Sequence, residues 1–381
     1  MQYRKAGKTD MSVSVIGLGA EHLDGKPYEV VEETISAAIE QGINFMDVFM
    51  PGPEVRKNIG KALEGRRDKM YIQGHIGSVD LNQQYDISRD LSTCKTYFEN
   101  LLKYLKTDYI DFGMLFFIDS EEDYTKIFDN GIVDYVQSLK KAGTIRAIGA
   151  SSHNPIYASK LEEAGILDLI MFSINPAFDM VPAQKSVFEL LDKKEQSYTL
   201  KMDPERAQFY QLCEQHNVAI SVMKTLGAGK LLSPEHSPFK KAMSVGQCIH
   251  YALTRPAVVS TLIGCQSRAE ILDTVKYLSL SDEEKDYSDI IKTSQSDFKG
   301  SCVYCNHCLP CPSNINIADV NKYLDIARLN ENAIPPSIVQ HYSAMEHHAS
   351  ECIQCASCEE RCPFSVSIIE NMEKAASLFG K

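Results

Sequence analysis

The chain has 381 residues, of which 44% are hydrophobic, and a formal net charge of −12 at pH 7. The length allows one large domain and a small one, and the apolar fraction is ordinary for a globular protein. The acidic balance argues against nucleic acid or an anionic membrane as the main partner. No apolar run reaches the length of a membrane span, and residues 1–18 lack the pattern of a secretory signal. We therefore expect a cytoplasmic protein.

Short apolar runs alternate with longer helical patterns up to about residue 280. The predicted helices cover 28–41, 54–63, 88–105, 133–142, 155–164 and 204–216, and a long excursion spans 178–202. No strand is followed by G-x-G-x-x-G. Eight strand–helix units predict an α/β fold, a closed (β/α)8 TIM barrel. The predicted strands are 13–18, 44–47, 71–75, 109–116, 146–150, 169–174, 219–223 and 258–263.

Asp47 ends the second predicted strand and His75 the third, at the end of a barrel where active sites form. We predict that His75 donates or accepts a proton and that Asp47 orients it, because imidazole titrates near neutral pH and a carboxylate fixes its tautomer. Two structural alternatives stay open. Asp47 could accept helix N-terminal amides, and His75 could be a buried, hydrogen-bonded histidine.

Further polar residues at this end are candidates for substrate binding. Arg56 or Lys224 would hold an anionic group, and Glu54 and His153 are additional candidates. Glu54 and Arg56 could equally form a solvated surface pair. His153 could be a hydrogen-bonding loop residue.

A second, smaller domain follows the barrel. Ser281-Asp282-Glu283-Glu284 has the spacing of a capping box and predicts a linking helix. We expect a barrel domain at 1–280, a linker at 281–300 with its joint at 293–300, and a C-terminal domain at 301–381 with helical patterns at 317–327 and 338–348.

Eight of the twelve cysteines form two runs in the C-terminal domain. The second run has the C-x2-C-x2-C-x3-C-P spacing of bacterial [4Fe-4S] ferredoxins, and the first differs by one residue before its last cysteine. We predict two clusters, each bound by the first three cysteines of one run and the last of the other. Structural zinc sites are the alternative, although they usually place two cysteine pairs well apart. The predicted ligands are Cys302, Cys305, Cys308, Cys311, Cys352, Cys355, Cys358 and Cys362.

The barrel region resembles the aldo/keto reductases, in the branch with a C-terminal dicluster ferredoxin domain. The matching segments are 42–47, 59–63, 108–111, 148–151 and 226–229. The resemblance implies reduction of carbonyl compounds with NAD(P)H by an Asp-Tyr-Lys-His tetrad in which tyrosine donates the proton. Asp47 is kept here, whereas Gly52, His75 and Phe116 stand at the other three positions.

The resemblance also implies which residues would bind a nicotinamide cofactor. The Ser-Asn pair of the family after the fifth strand is Ser151-Ser152, and the glutamine of its sixth strand is Met171, which cannot make the same hydrogen bonds. NAD(P)H therefore stays open as a cofactor, and no residue argues for a flavin. The candidate cofactor-binding residues are Ser151, Ser152, Gly264, Gln266, Ser267 and Arg268.

The favoured function is an iron–sulfur oxidoreductase. Its barrel would bind a small organic substrate with a carbonyl or hydroxyl group, and its clusters would relay single electrons. A redox protein of the ferredoxin or flavodoxin type would be its partner. Two alternatives stay open: an NAD(P)H-dependent carbonyl reductase with another proton donor, and a non-catalytic electron-transfer or sensing partner whose barrel is a docking platform.

Overall fold

The computed structural model describes residues 1–81, 84–185, 202–292, 300–328 and 330–381. Eight parallel strands, β3–β5 and β8–β12, close into a barrel in which each strand pairs with its neighbours along the chain. The prediction of a closed α/β barrel is confirmed. The strands are β1 (Tyr3–Lys5), β2 (Ser12–Ser14), β3 (Ile16–Gly19), β4 (Phe45–Val48), β5 (Tyr71–Ile76), β6 (Ser78–Leu81), β7 (Gln84–Ile87), β8 (Ile110–Leu115), β9 (Ile145–Ser152), β10 (Leu169–Ser173), β11 (Ala219–Met223) and β12 (Val258–Gly264).

Helices cover the outside of the barrel and build the C-terminal region. Those on the barrel are α1 (Tyr28–Glu40), α2 (Pro53–Ala62), α3 (Leu91–Leu105), α4 (Glu121–Asp129), α5 (Ile132–Ala142), α6 (Pro155–Glu163), α7 (Pro176–Asp179), α8 (Pro204–Gln215), α9 (Val245–Leu253) and α10 (Arg268–Val275). The linker and C-terminal helices are α11 (Asp282–Lys285), α12 (Ser288–Lys292), α13 (Ile317–Ala327), α14 (Pro336–Ser343), α15 (Ser357–Arg361) and α16 (Ile368–Phe379). No helix in the described ranges has the length and apolar composition needed to cross a membrane.

Several elements differ from the sequence prediction. The hairpin β6–β7 and the helix α4 were not predicted. The helix α3 begins at Leu91 rather than at residue 88, because the Asp90 carboxylate caps it by accepting from Thr93 N–H. Most of the predicted excursion at 178–202 and the joint at 293–300, apart from Gly300, lies outside the described residues.

The barrel interior is filled at one end and open at the other. Phe45, Phe112 and Leu169 belong to an interior apolar cluster that also includes Met11 and Val13. Met11 and Val13 come from the N-terminal hairpin segment, so this segment closes the end of the barrel at which the strands begin. The open end, where the strands finish, is therefore the place for a site within the barrel.

Two of the segments that resemble the aldo/keto reductases, 59–63 and 108–111, contribute to packing. A Cβ on Gly60 in α2 would lie 2.5 Å from the carbonyl oxygen of Tyr104 at the end of α3, so only glycine allows these helices to approach. Asp111 in β8 is 1% exposed, accepts from Ile72 N–H, and pairs with Arg67 at 2.9 Å and Arg146 at 3.0 Å. These pairs join β5, β8 and β9 where the strands begin.

The C-terminal region packs against the barrel helices. Val303 and Ile315 belong to the same contiguous apolar core as the residues between the barrel and its helices. Ser337 Oγ donates to the carbonyl oxygen of Glu214 at 2.9 Å, and His341 Nδ1 lies 2.8 Å from the Glu214 carboxylate. These contacts fix α14 against the end of α8.

Candidate active site and cluster-binding loops

A cavity of about 470 Å3, open to solvent, lies where the barrel strands end. Asp47 and His75 lie at its base, the aromatic residue Phe116 forms part of one wall, and His153 and Lys224 approach from the later strands. This is the end of the barrel at which the sequence predicted the site.

Asp47 and His75 are in direct contact, as the sequence predicted they would be. His75 Nε2 lies 2.7 Å from Asp47 Oδ1, and both side chains are buried. Gln73 Nε2 donates to the same oxygen at 2.8 Å, and Ser221 Oγ donates to Gln73 Oε1 at 2.7 Å. A carboxylate only accepts, so the His75 proton is assigned to Nε2. This network holds both side chains in one orientation.

His75 Nδ1 is buried and has no hydrogen-bond partner among the described residues. A buried polar atom without a partner costs about 1–3 kcal/mol. The enclosure of this nitrogen also means that His75 cannot exchange a proton directly with water in this conformation.

A second histidine–carboxylate pair lies after β9, two strands around the barrel from His75, and sequence analysis missed its acidic member. His153 Nδ1 lies 2.9 Å from Asp119 Oδ2. Asp119 Oδ1 accepts from His153 N–H at 2.6 Å and from Ser152 Oγ at 2.8 Å. Burial acts to raise the pKa of Asp119, but the attraction of His153 and these hydrogen bonds outweigh it and lower the pKa below its ordinary value. Asp119 is therefore a carboxylate that orients His153.

An aromatic wall separates the two imidazoles. The Phe116 ring stacks on Phe49 at 5.8 Å and meets the edge of His75 at 5.2 Å, and Phe117 lies 4.9 Å from His153. Tyr85, on the β6–β7 hairpin, extends the wall by contacting Phe49 at 5.5 Å. Such a wall suits a planar, largely apolar group.

The structure does not bring Glu54 or Arg56 to the cavity. Arg56 is fully buried and donates to the carbonyl oxygens of Met50 and Tyr97 at 2.8 and 3.2 Å. Burial lowers its pKa to about 10. Glu54 is exposed and pairs with Lys57 at 2.7 Å. Residues two apart on a helix face different directions, so one α2 position enters the core while the other meets solvent.

The positions that would hold a nicotinamide carboxamide are engaged within the protein. Ser151 Oγ accepts from Phe117 N–H at 2.8 Å, and Ser152 Oγ donates to Asp119. Met171 Sδ accepts from Gln73 Nε2 at 3.4 Å. The Ser151 hydroxyl keeps its O–H as a donor, whereas Ser152 and Met171 leave no strong donor and acceptor pair for an amide.

Carboxylates occupy the segment at 264–268 that was predicted to bind the phosphate of a nicotinamide cofactor. Gln266 N–H donates to Glu270 Oε2 at 2.9 Å at the start of α10, and Arg268 pairs with Glu40 at 2.7 Å. Ser267 caps α10 by accepting from Glu270 N–H at 3.3 Å. A Cβ on Gly264 would lie 2.2 Å from the His22 ring, so glycine is needed for this close approach. A dinucleotide phosphate would have to displace Glu270, so these residues do not fit it, and we derive no step through a nicotinamide.

The two cysteine runs share one backbone conformation. In each run, the residues before and after the second cysteine have positive φ, and so does the residue three positions after the last cysteine. Such left-handed residues turn successive N–H groups inward, an arrangement found at many iron–sulfur sites. Ser357 donates through backbone and side chain to Cys355 and lowers the pKa of its thiol. The positive-φ residues are Tyr304, Asn306, Asn314, Gln354, Ala356 and Ser365, with φ between 52° and 66°.

Two observations agree with the crossed ligand pattern that the sequence predicted. Cys311 lines a small cavity with the first three cysteines of the second run, and Ile315, Ile317 and Met372 supply its apolar walls. In the other group, Cys362 is close enough to Cys305 and Cys308 to contribute, after burial, to raising the pKa of each to about 12. Four thiols in an apolar setting fit a [4Fe-4S] cluster, and the crossed ligand sets remain a prediction.

A closed (β/α)8 barrel with a polar cavity at its strand ends, attached to a domain with two such cysteine runs, defines an iron–sulfur oxidoreductase. The sequence profile of the aldo/keto reductase family matches residues 15–244, and that of the 4Fe-4S dicluster domain matches residues 301–367. The chain belongs to the aldo/keto reductase family. The predicted resemblance is confirmed, and the second match supports iron–sulfur clusters over zinc.

Solved structures of aldo/keto reductases have the same fold. The aldo-keto reductase AKR11C1 from Bacillus halodurans in its holo form is 21% identical, with a TM-score of 0.59 over 77% of this chain and 95% of its own. PA4992, a putative aldo-keto reductase from Pseudomonas aeruginosa, is 19% identical, with a TM-score of 0.56 over 72% of this chain and 93% of its own. At these identities the likeness concerns the fold alone. No curated protein sequence matches the chain significantly.

Proposed function

We propose that the barrel cavity binds a small organic compound with a carbonyl or hydroxyl group, and that two [4Fe-4S] clusters relay single electrons between this compound and a carrier protein. The clusters would supply one electron at a time. Asp47 and His75 would hold a proton at the base of the cavity. The barrel at 1–280 and the cluster domain at 301–381 would act as one unit in the cytoplasm, because thiolate-bound clusters need a reducing compartment.

The observation that carries this proposal is a continuous set of buried side chains between the first cysteine run and the cavity. Arg255 donates to the carbonyl oxygen of Val303 at 2.9 Å and lies 4.4 Å from the face of Tyr251. Tyr251 Oη donates to Asp179 Oδ2 at 2.7 Å, and Arg206 bridges Asp179 at 3.4 Å and the carbonyl oxygen of His153 at 3.3 Å. From the first cysteine run to the cavity, the connected residues are Val303, Arg255, Tyr251, Asp179, Arg206 and His153. This connection supports electronic coupling between cluster and cavity.

The substrate class follows from the cavity walls. The Phe49–Phe116 stack and Tyr85 favour a planar apolar group. Lys224 Nζ has no ion-pair partner within the described residues, so it can hold an anion. An aromatic 2-oxo acid such as benzoylformate combines a ring, a carboxylate and a ketone and is a suitable probe.

The two cysteine runs differ in exposure, which supports a carrier protein of the ferredoxin or flavodoxin type at the second run. Cys305 and Cys308 are buried, whereas Cys355 is exposed and the neighbouring Ile353 is 66% exposed. An exposed apolar side chain beside an exposed cluster ligand suits transient docking of an electron carrier. The cluster of the buried run would face the barrel.

The test begins with anaerobically purified protein, whose clusters are followed by absorbance and electron paramagnetic resonance (EPR). We expect dithionite to reduce the clusters and NADH and NADPH to leave them oxidised. We expect benzoylformate to reoxidise the dithionite-reduced protein. Cys355→Ser, which removes a predicted ligand, should slow reduction by a reduced ferredoxin, whereas Cys265→Ser, which alters a buried thiol beside Thr274, should not.

The alternatives predict other results. Reduction of the clusters by NADPH would favour the nicotinamide-dependent carbonyl reductase. Failure of benzoylformate and related oxo acids to reoxidise the protein, while it still exchanges electrons with a carrier, would favour the non-catalytic electron-transfer partner.

A further inference from the structure

We propose that His153, oriented by Asp119, exchanges a proton with the molecule bound in the barrel cavity; this inference rests on the proposed function. The sequence predicted a proton-transfer role for His75 and only a binding role for His153. The structure gives the two imidazoles different access to the cavity.

The two pairs use opposite ring nitrogens. His75 presents Nε2 to Asp47, and its Nδ1 is enclosed without a partner in the described part of the chain. His153 presents Nδ1 to Asp119, and no described residue hydrogen bonds to its Nε2. Unlike His75 Nδ1, His153 Nε2 is not a buried nitrogen without a partner, and the residue lines the cavity. Its Nε2 is therefore the imidazole nitrogen that a bound molecule can reach.

Asp119 holds His153 in the tautomer that this role needs. Its carboxylate accepts from both the Nδ1–H and the backbone N–H of His153, so the ring cannot turn without losing a hydrogen bond. With the proton of Nδ1 committed to Asp119, Nε2 gains and loses the exchangeable proton. An aspartate plays the same orienting role toward histidine in hydrolytic triads.

Other charged groups also act on His153. Arg206 contacts its carbonyl oxygen, and Arg89 lies near Asp119 and donates to the carbonyl oxygen of Phe117 at 2.8 Å. The two arginines place positive charge near His153, and Asp119, in direct contact, places negative charge beside it. The titratable side chains that share the cavity are Glu21, His22, Asp47, His75, Tyr85 and Lys224.

The proton-transfer step balances within the proposed function. Reduction of a ketone to a secondary alcohol takes up two electrons and two protons. Reduced iron–sulfur centres are the proposed electron donors. The imidazolium of His153 breaks its Nε2–H bond as the oxygen of the substrate forms its O–H bond, which leaves a neutral imidazole with its proton on Nδ1. The second proton, which bonds to carbon, comes from water that breaks one of its O–H bonds, because the cavity is open to solvent.

The first measurement is acylation of the anaerobic holoprotein by diethylpyrocarbonate, which reacts with accessible neutral imidazole nitrogens, followed by peptide mapping. We expect modification of His153 and protection of His75. Benzoylformate should protect His153. In Asp119→Asn, the pH of half-maximal modification should fall by at least about one unit, because loss of a neighbouring anion disfavours imidazolium. His216→Gln, which removes another histidine–carboxylate pair on the surface, should leave that pH unchanged.

The second measurement is reoxidation of the reduced protein by benzoylformate across pH. His153→Gln should lower the rate about 100-fold or more and remove one limb of the pH profile, while the reduction potentials of the clusters stay the same. An unreactive His153, a reactive His75, or an unchanged pH profile in His153→Gln would overturn the proton-transfer role. The acylation result does not depend on turnover, so failure of benzoylformate with the wild-type protein would instead count against the proposed function.

Discussion

Arg255 Nη2 donates a hydrogen bond of 2.9 Å to the carbonyl oxygen of Val303, the residue after Cys302. The guanidinium is buried between the rings of Tyr251, at 4.4 Å, and Tyr304, at 5.0 Å. A buried cation beside a cluster ligand stabilises the more negative, reduced state of a cluster. The barrel therefore contributes a charge that would draw electrons towards the cavity.

Replacement of Arg255 by methionine tests this charge. We expect the reduction potential of the cluster at Cys302 to fall by on the order of 60 mV, which is tenfold in the equilibrium constant of a one-electron couple. The loop should stay in place, because Tyr287 Oη still donates to the carbonyl oxygen of Val303 at 2.8 Å. EPR-monitored redox titration measures the shift. The control is Arg268→Met on the barrel surface, and an equal shift in both variants would contradict the prediction.

The crossed ligand sets make a prediction about cluster loss. Cys311→Ala should remove the same EPR signal as Cys355→Ala, because Cys311 lines the cavity of the second run. Cys362→Ala should remove the same signal as Cys305→Ala. Iron analysis should show about half of the wild-type content in each variant. If Cys311→Ala instead removes the signal lost in Cys305→Ala, each run binds its own cluster.

The barrel and the cluster-binding loops could be predicted from the sequence because both depend on local patterns. Alternation of apolar strands with amphipathic helices specifies a parallel barrel, and cysteine spacing specifies a cluster loop. The β6–β7 hairpin was missed because no element was predicted between residue 75 and the helix at 88–105. This error also hid Tyr85, which contacts the aromatic wall of the cavity.

The site was harder to predict because its residues meet through tertiary contacts. Asp119 follows β8 in a segment without a motif, and only the fold brings it to His153. Arg56 looked like an anion-binding residue, but its side chain satisfies backbone carbonyls in the interior. A sequence identifies which residue types are present at a strand end, whereas the direction of each side chain depends on how its helix or strand packs.

His250 in α9 makes stability depend on pH. Burial, assisted by Lys285 and Arg255, lowers its pKa to about 4. Below the unfolded pKa of about 6.5, the unfolded chain binds a proton that the folded chain does not, so stability present above that pH is lost as pH falls. We expect the free energy of unfolding to be about 2 kcal/mol lower at pH 5 than at pH 7 from this residue.

The variant His250→Gln, whose side chain cannot titrate, tests this pH dependence. Urea unfolding at both pH values should show a smaller loss for the variant than for the wild-type protein. His216, whose side chain is 52% exposed, offers the matched control, since His216→Gln should retain the full loss. Equal pH dependence in His250→Gln and the wild-type protein would mean that His250 is not buried as a neutral imidazole.

Replacement of His75 by glutamine tests the pair at the base of the cavity. Gln73 would still donate to Asp47, so the carboxylate keeps one hydrogen bond and the barrel should fold. If His75 transfers a proton, as the sequence predicts, reoxidation of the reduced protein by benzoylformate should slow by about 10²–10⁴-fold, because general acid–base groups contribute this much. The clusters should keep their potentials, which separates loss of a proton from loss of electron supply. A rate equal to that of the wild-type protein would remove His75 from the reaction and leave His153 as the sole imidazole proposed to exchange protons in the described part of the cavity.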